Sequence, residues 1–142
     1  LILGDGECDE GQVWEMALFA AQQKLDHLIA FVDLNRQQLD GYTDEILALG
    51  DLRRKFEDFG WHAVEVDGHD VSAIHDAIED AKSRAGVPSM IVLDTVKGKG
   101  WSVTEGRTGI HHIPITPEQA AAAKKELGAQ ISALQAKLQE VC

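Results

Sequence analysis

The chain opens with the apolar stretch Leu1-Ile2-Leu3, which ends at Gly4-Asp5-Gly6. The next apolar run, Leu28 to Leu34, ends at Asn35. Apolar residues recur between the two runs at helical spacing: Val13, Trp14, Ala17, Leu18 and Ala21. The segment therefore predicts a strand, a helix and a second strand.

The order of these elements determines where their ends lie. A crossover through one helix makes the two strands parallel. If they pair directly, their C-terminal ends lie about 4.8 Å apart, so Asp5 and Asn35 share one edge of the sheet. Ligands of open parallel α/β sheets bind outside the carboxyl ends of the strands. We therefore expect a binding site at this edge.

The residue types at this edge suit a divalent cation and a diphosphate. Mg²⁺ prefers hard oxygen ligands, of which Asp5 offers a charged one and Asn35 a neutral one. Gly6 permits a sharp turn and a close approach of backbone N–H groups to a phosphate, and the N-terminus of the following helix adds positive potential. The alternative interpretation is an ordinary Asp-Gly turn and an ordinary loop asparagine.

The chain after Asn35 continues the alternation of helices and strands. A helix is predicted near Leu49 to Phe59, a strand near His62 to Val66, and a further strand from Met90 to Leu93. One more helical face lies before the last strand: Val71, Ile74, Ala77, Ile78 and Ala81. This order is typical of an α/β domain.

A long polar loop and a final helix complete the sequence. The loop, Thr95 to Thr116, is rich in Gly, and such a length in a compact domain indicates a functional segment. Thr116 and Pro117 are typical of a helix N-cap and first turn. The helix carries an apolar stripe: Leu127, Ile131, Leu134 and Leu138. Docking of this stripe on its own domain is favoured over a seam against another subunit.

Four stretches resemble the cofactor-binding segment of transketolases: Gly4 to Glu15, Lys24 to Asn35, Phe59 to Asp70, and Thr95 to Gly100. They extend over roughly the first 111 residues, far more than a chance motif match. The resemblance implies an α/β fold with an open parallel sheet and helices on both faces, the thiamine diphosphate-binding fold, truncated at its N-terminal side. It assigns residues 1–116 to the C-terminal part of the diphosphate-binding domain and residues 117–142 to a C-terminal helix.

The resemblance also implies the ligands of the metal and the cofactor. Asp5, Asn35 and the backbone carbonyl of Gln37 would bind Mg²⁺, which Ca²⁺ or Mn²⁺ can replace. Gly6 and Asn35 would contact thiamine diphosphate. Arg36 stands where many bacterial and plant members have Gly, and animal-type members also carry Arg there.

Two further site residues follow from the resemblance. Lys97 matches a lysine that lies near the diphosphate in some transketolases, and His111 matches a catalytic histidine that touches both cofactor and sugar. In the family this histidine is usually followed by Gly, whereas here Ile110 precedes it and His112 follows it. His112 is therefore an alternative for the role, although the spacing from Gly100 favours His111.

The implied activity is transfer of a two-carbon ketol unit from a ketose phosphate to an aldose phosphate, as in pentose phosphate metabolism. Transketolases also contain an earlier part of the diphosphate-binding domain, a pyrimidine-binding domain with an activating glutamate, and a third domain. We expect a fragment or ordered remainder, inactive alone, that works with the remaining transketolase domains in a separate subunit or in the same chain. We also expect a homodimer or heterotetramer. The missing upstream neighbours should leave apolar surface exposed at the first strand.

Two alternatives remain open. The chain could belong to another thiamine diphosphate enzyme, of the deoxyxylulose phosphate synthase or 2-oxo-acid dehydrogenase type, although Phe59 to Asp70 resembles transketolase more. It could instead be a non-catalytic scaffold or partner module, because it lacks the pyrimidine-binding domain.

Composition excludes several classes of function. The formal net charge of −11 argues against nucleic acid and against anionic membranes as partners. Cys8 and Cys142 lie at opposite ends of the chain and form no disulfide framework or metal spacing. No apolar run reaches transmembrane length, and the apolar start is too short for a signal peptide. A cytoplasmic location is expected.

Overall fold

The computed structural model of the protein describes residues 1–141, with side chains described through residue 139. Cys142, the second cysteine, lies outside the described residues. The elements are, in order, β1 (Ile2–Gly4), α1 (Gly11–Gln22), β2 (Ile29–Leu34), β3 (Gln37–Gln38), β4 (Gly41–Tyr42), α2 (Thr43–Ile46), α3 (Leu52–Asp58), β5 (His62–Asp67), α4 (Val71–Lys82), β6 (Ser89–Asp94) and α5 (Pro117–Val141). A short 3₁₀ helix, Gly6–Asp9, lies between β1 and α1.

Four strands form a parallel sheet in the order β1-β2-β6-β5. β1 pairs directly with β2, with Gly4 opposite Asp33, so the predicted strand, helix and strand are confirmed. Leu34 lies opposite Asp94 of β6, and Asp67 of β5 lies opposite the same residue. The carboxyl ends of all four strands therefore meet at one edge.

Helices cover both faces of this sheet. α1 and α3 pack on one face around a core of Leu3, Val13, Ala17, Ala20, Ala30, Val32, Leu52, Phe56, Trp61, Ala63, Met90 and Val92. Because side chains alternate along a strand, Ser89 and its neighbour across the pairing, His62, face the other side. There Nε2 of His62 lies 2.7 Å from Oδ2 of Asp80 in α4. The predicted α/β architecture is confirmed.

β1 forms one edge of the sheet. Leu3 faces the core and is buried, whereas Leu1 is 54% exposed and Ile2 is 74% exposed. The outer N–H and C=O groups of an edge strand have no neighbouring strand to pair with, and its side chains are less covered than those of an interior strand. The apolar surface predicted at this strand is therefore present.

The polar segment after Asn35 contains structure that the sequence pattern did not predict. β3 and β4 form a small antiparallel hairpin in which Gln37 lies opposite Tyr42. The backbone N–H of Thr43, at the start of α2, donates to the carbonyl of Arg36 at 3.1 Å. Strands of two residues are too short to show an alternating pattern of apolar and polar residues. The sequence signal at this hairpin was therefore limited to its turn residues, Asp40-Gly41.

The chain divides into two compact units, Leu1–Thr95 and the part that starts at Val96. In the second unit the described loop up to residue 116 contains neither helix nor strand, as predicted. Thr116 caps α5, because its Oγ1 accepts from the N–H of Gln119 at 3.2 Å while Oε1 of Gln119 accepts from the N–H of Thr116 at 2.9 Å. The division of the chain at residue 116 stays a prediction.

The apolar stripe of α5 is exposed, from 39% at Leu127 to 66% at Leu138. The middle of the helix contacts the loop of the same unit. The N–H of Ser102 donates to Oε1 of Glu126 at 2.9 Å, and Nε2 of Gln130 donates to the carbonyl of Gly100 at 3.1 Å. Docking of the remaining stripe on its own domain stays a prediction.

Trp61 joins the start of β5 to α1 in the core. Its indole N–H donates to the carbonyl of Ala17 at 2.9 Å, and the side chain is almost fully buried. Its ring lies edge-on to Phe56 of α3, with centroids 5.4 Å apart. One side chain thus connects two helices with the sheet.

We expect Trp61→Phe to lower the free energy of unfolding by about 1–2 kcal/mol, because a buried hydrogen bond is lost and a smaller ring fills the site less well. Urea unfolding followed by circular dichroism measures this change. Trp101→Phe, at a half-buried loop position, is the matched control and should stay within about 0.5 kcal/mol of the parent. Equal effects of both substitutions would contradict the assigned role of Trp61.

Cys8 is fully buried in the short 3₁₀ helix, and its thiol lies 3.6 Å from the carbonyl oxygen of Gly4. Burial raises the pKa of this thiol from its ordinary value of 9.0 to about 12, and the negative charges of Asp5, Glu7 and Asp9 act in the same direction. The thiolate is the reactive form of cysteine. Cys8 is therefore a packing residue rather than a nucleophile.

In the folded protein, iodoacetamide should leave Cys8 unmodified at pH 8, because burial raises the pKa of its thiol well above its ordinary value of 9.0. In urea the same residue should label as the pH rises through 9.0, its ordinary pKa. Peptide mass mapping reads Cys8 separately from Cys142. Rapid labelling of Cys8 at pH 8 without urea would show that the thiol is neither buried nor raised in pKa.

Candidate functional site

Asp5 lies directly after β1 and is buried, with 1% of its surface exposed. Its backbone N–H donates to the carbonyl of Asp33 at 3.2 Å, which extends the pairing of β1 with β2 by one residue. Its Oδ1 accepts from the N–H of Gly6 at 2.8 Å. Its Oδ2 accepts from the N–H of Arg36 at 2.5 Å. The carboxylate is therefore oriented by backbone groups from two chain segments.

The segment after β2 brings the other predicted ligands to the same place. Asn35 follows the last residue of the strand, and its Oδ1 accepts from the N–H of Gln37 at 3.0 Å. Gln37 is buried and begins the hairpin. Since the intervening Arg36 bonds Asp5 directly, the structure brings Asp5, Asn35 and Gln37 together at the sheet edge.

Gly6 approaches the hairpin closely. A Cβ atom at this position would lie 2.9 Å from Cβ and 3.2 Å from Oε1 of Gln38. Nε2 of Gln38 in turn donates to Oδ2 of Asp9 at 3.3 Å, which ties the hairpin to the 3₁₀ helix. A larger residue at position 6 would push the hairpin away, so the absence of a side chain here preserves the site.

Further carboxylates lie at the ends of the neighbouring strands. Asp33 accepts a hydrogen bond from Oγ1 of Thr95. Asp94, at the end of β6, forms an ion pair with Arg36, in which Nη1 lies 2.6 Å from Oδ1. The hydrogen bond from Arg36 to Asp94 raises the pKa of Arg36 above its ordinary value, although partial burial opposes the shift. These partners were not predicted from the sequence.

The donor set at this edge fits a hard divalent cation. It offers one buried carboxylate, one amide oxygen and one backbone carbonyl, all oxygen ligands of the kind that Mg²⁺ accepts alongside phosphate and water. Within residues 1–141, no cluster of three or more His, Cys, Asp and Glu side chains is arranged to hold a metal ion. A metal at this edge would therefore draw on mixed side-chain and backbone oxygens. The assignment of Asp5, Asn35 and Gln37 as metal ligands stays a prediction.

The other predicted site residues lie in the second unit and are described by themselves. Nζ of Lys97 lies 3.2 Å from Nδ1 of His111. An ammonium group can only donate, so Nδ1 accepts and the neutral imidazole carries its proton on Nε2. The structure thus brings Lys97 and His111 together. The choice of His111 over His112 for the catalytic role stays a prediction.

The loop that carries Lys97 is held by contacts within the second unit. Gly98 has a φ of 73°, and a Cβ atom there would lie 2.8 Å from the carbonyl oxygen of Thr104. The carbonyl of Lys97 accepts from the N–H of Gly106 at 2.9 Å, and Oγ1 of Thr104 donates to the carbonyl of Gly98 at 3.0 Å. The position of Lys97 is therefore defined by a tight turn rather than by a helix or strand.

Along the described part of the chain, no helix is long and apolar enough to cross a membrane. Residues 1–140 match the family described as transketolase, thiamine diphosphate binding domain.

Among curated proteins, the chain is 52% identical over 126 residues to the 6-deoxy-6-sulfo-D-fructose transketolase subunit SqwG of Clostridium sp. (strain MSTE9), covering 89% of this chain and 46% of that protein. It is 40% identical over 127 residues to one of the subunits of the apulose-4-phosphate transketolase of Actinobacillus succinogenes, with coverage of 89% and 46%. The chain therefore spans about half the length of these curated relatives.

Solved transketolases have the same fold. Transketolase from Campylobacter jejuni superposes with a TM-score of 0.82 at 30% identity, over 89% of this chain and 20% of that one. Transketolase from Pichia stipitis, in complex with sedoheptulose 7-phosphate, superposes with a TM-score of 0.81 at 35% identity, over 89% and 19%. The chain belongs to the transketolase family, and its residues 1–140 match the thiamine diphosphate-binding domain of that family.

Proposed function

We propose that this domain holds thiamine diphosphate through Mg²⁺ at the sheet edge. As part of a complete enzyme it would support transfer of a two-carbon ketol unit from a ketose phosphate to an aldose phosphate. The observation that carries the proposal is the hydrogen bond that joins the buried Asp5 carboxylate to the segment carrying Asn35 and Gln37. Membership of the transketolase family supports the same cofactor.

The chain's own residues would position the metal and the diphosphate. Asp5, Asn35 and the carbonyl of Gln37 would hold Mg²⁺. The N–H groups of Gly6 and Arg36 donate to the Asp5 carboxylate, and these bonds limit how far the carboxylate must reorient when a metal binds. Gly6 leaves room for the hairpin and for a phosphate to approach backbone N–H groups. Thiamine diphosphate, when bound, supplies the carbanion chemistry of carbon–carbon bond cleavage and formation.

For the second unit we propose a separate role in substrate chemistry. Because Lys97 donates to Nδ1 of His111, the ring keeps a proton on Nε2. This N–H is suited to donate to an oxygen of the sugar on which negative charge develops. The ammonium of Lys97 would at the same time place positive charge for the diphosphate.

The catalytic unit would require further domains. Two of the similar proteins are named as transketolase subunits, which supports a partner polypeptide carrying the pyrimidine-binding domain. We propose either a homodimer of a longer chain or a heterotetramer of two kinds of subunit. The similar proteins are named for different sugars, and an assay with a panel of donors identifies the one that this enzyme uses.

A donor panel separates the alternatives. We expect the full-length protein with its partner to use a ketose phosphate, such as fructose 6-phosphate or xylulose 5-phosphate, as ketol donor, and not pyruvate. Use of 6-deoxy-6-sulfofructose in place of both would retain the ketol transfer but contradict a phosphate donor. Turnover of pyruvate alone would favour a deoxyxylulose phosphate synthase or 2-oxo-acid dehydrogenase type. No thiamine diphosphate binding in any combination of subunits would favour a scaffold.

Asp5→Asn should weaken Mg²⁺-dependent binding of thiamine diphosphate by at least about tenfold in the full-length protein, because the only charged ligand of the proposed set is neutralised. Isothermal titration at fixed Mg²⁺ measures the dissociation constant. Asp58→Asn, at an exposed position of α3, is the matched control and should bind as the parent does. Unchanged affinity in Asp5→Asn would refute the ligand assignment.

His111→Asn should lower kcat by about 10²–10³-fold, the usual cost of losing a donor to developing oxyanion charge. His112→Asn should change kcat by only a few fold, because the Lys97 contact that sets the tautomer is made by His111. Thiamine diphosphate affinity is measured in parallel to separate binding from turnover. A larger loss of kcat in His112→Asn would transfer the role to that residue.

A further inference from the structure

Arg36, the residue between two of the proposed metal ligands, is held by interactions at three points. Its backbone N–H donates to Oδ2 of Asp5 at 2.5 Å, and its carbonyl accepts from the N–H of Thr43 at 3.1 Å. Its guanidinium Nη1 lies 2.6 Å from Oδ1 of Asp94 and 3.4 Å from the carbonyl of Leu34. The main chain and the side chain of Arg36 are therefore attached to different parts of the sheet edge.

The backbone of Arg36 adopts a conformation that a side chain disfavours. Its φ is 63°, in the left-handed region, and within the described part of the chain Lys24 is the one other residue besides Gly with a positive φ. This conformation turns the chain sharply between Asn35 and Gln37. Because it costs conformational energy for any residue except Gly, it persists only where surrounding contacts hold it.

Asp94 gives the guanidinium a rigid attachment point. It ends β6, where it pairs in register with Leu34 on one side and with Asp67 on the other. Its carbonyl also accepts from the N–H of Gly68 at 2.8 Å. The Arg36–Asp94 ion pair therefore connects the turn that carries two proposed ligands to an interior strand of the sheet.

We propose that Arg36 is a positioning residue for the metal site: its ion pair with Asp94 holds the turn in the conformation that presents Asn35 and Gln37 alongside Asp5. The proposal rests on the proposed metal site. Glycine at position 36 would reach the same φ without strain but would lose the attachment to β6. The guanidinium itself would not touch the metal.

A second explanation would be purely electrostatic, and it predicts the opposite result for the removal of the Arg36 charge. If Arg36 and Asp94 acted only through their charges, removal of the positive charge would strengthen cation binding and removal of the negative charge would weaken it. If they act as one attachment, either substitution weakens binding and the double substitution is no worse than a single one.

The test measures Mn²⁺ binding to the full-length protein by electron paramagnetic resonance of the free ion, which does not depend on turnover. We expect Arg36→Gln and Asp94→Asn each to raise the dissociation constant about three- to tenfold, and the double variant to match the single variants. Arg36→Gly should also bind more weakly, although its backbone suits the turn. Circular dichroism establishes that each variant is folded.

Two controls test whether the effect is specific to the Arg36–Asp94 pair and whether the metal site exists. Lys82→Gln with Glu79→Gln removes an ion pair of the same length, 2.6 Å, at the C-terminal end of α4, and should leave Mn²⁺ binding unchanged. Asp5→Asn tests the metal site itself, so unchanged binding there refutes the proposed function rather than the role of Arg36.

Arg36→Gln separates the two explanations, because only the attachment predicts weaker binding there. Asp94→Asn tests the attachment itself while residue 36 and its backbone stay unchanged. If Asp5→Asn weakens binding while Asp94→Asn leaves it at the parent value, the positioning role is wrong. Tighter binding in Arg36→Gln, or additive losses in the double variant, would overturn it as well.

Discussion

Direct parallel pairing of β1 with β2 is the constraint on which the whole site depends. With Gly4 opposite Asp33, the next residues of each strand leave the sheet at the same edge. The bond from the N–H of Asp5 to the carbonyl of Asp33 continues the pairing beyond the strand and holds the Asp5 backbone in place. A slip of one residue would turn the side chains of β1 to the opposite faces. It would move Leu3 out of the core and the carboxylate away from Asn35.

Burial of a carboxylate is costly unless hydrogen bonds replace its water. The Asp5 carboxylate accepts hydrogen bonds from the N–H of Gly6, the next residue along the chain, and from the N–H of Arg36, in the turn after β2. These bonds couple two functions, since the groups that stabilise the buried charge also fix the direction of its lone pairs. The close approach of Gly6 to Gln38 brings the hairpin into the same arrangement. The site is thus built largely from backbone groups around one acidic side chain.

The sequence predicted the parts of the structure that local periodicity controls. The strands, the crossover helix and the meeting of Asp5 with Asn35 followed from apolar spacing and from the rule that parallel strands share an edge. The Arg36–Asp94 pair did not, because it depends on the position of β6 next to β2, which arises from a contact between residues 58 apart. The hairpin after Asn35 was missed because two-residue strands carry no period.

The energetic balance at Arg36 indicates which contact controls the turn. A left-handed conformation costs a residue such as arginine about 1–2 kcal/mol. Its ion pair with Asp94 is half exposed on both sides, and exposed pairs contribute about 0–1 kcal/mol, which does not offset the strain alone. A hydrogen bond to a charged group contributes about 1.5–3 kcal/mol, so the bond from the N–H of Arg36 to Asp5 is the stronger of the two interactions. Asp5 therefore contributes the larger share of the energy that holds the turn carrying Asn35 and Gln37, and the ion pair with Asp94 adds the second attachment that keeps the turn in place. A substitution at Asp5 consequently acts twice, on the charge offered to the cation and on the position of the neighbouring ligands.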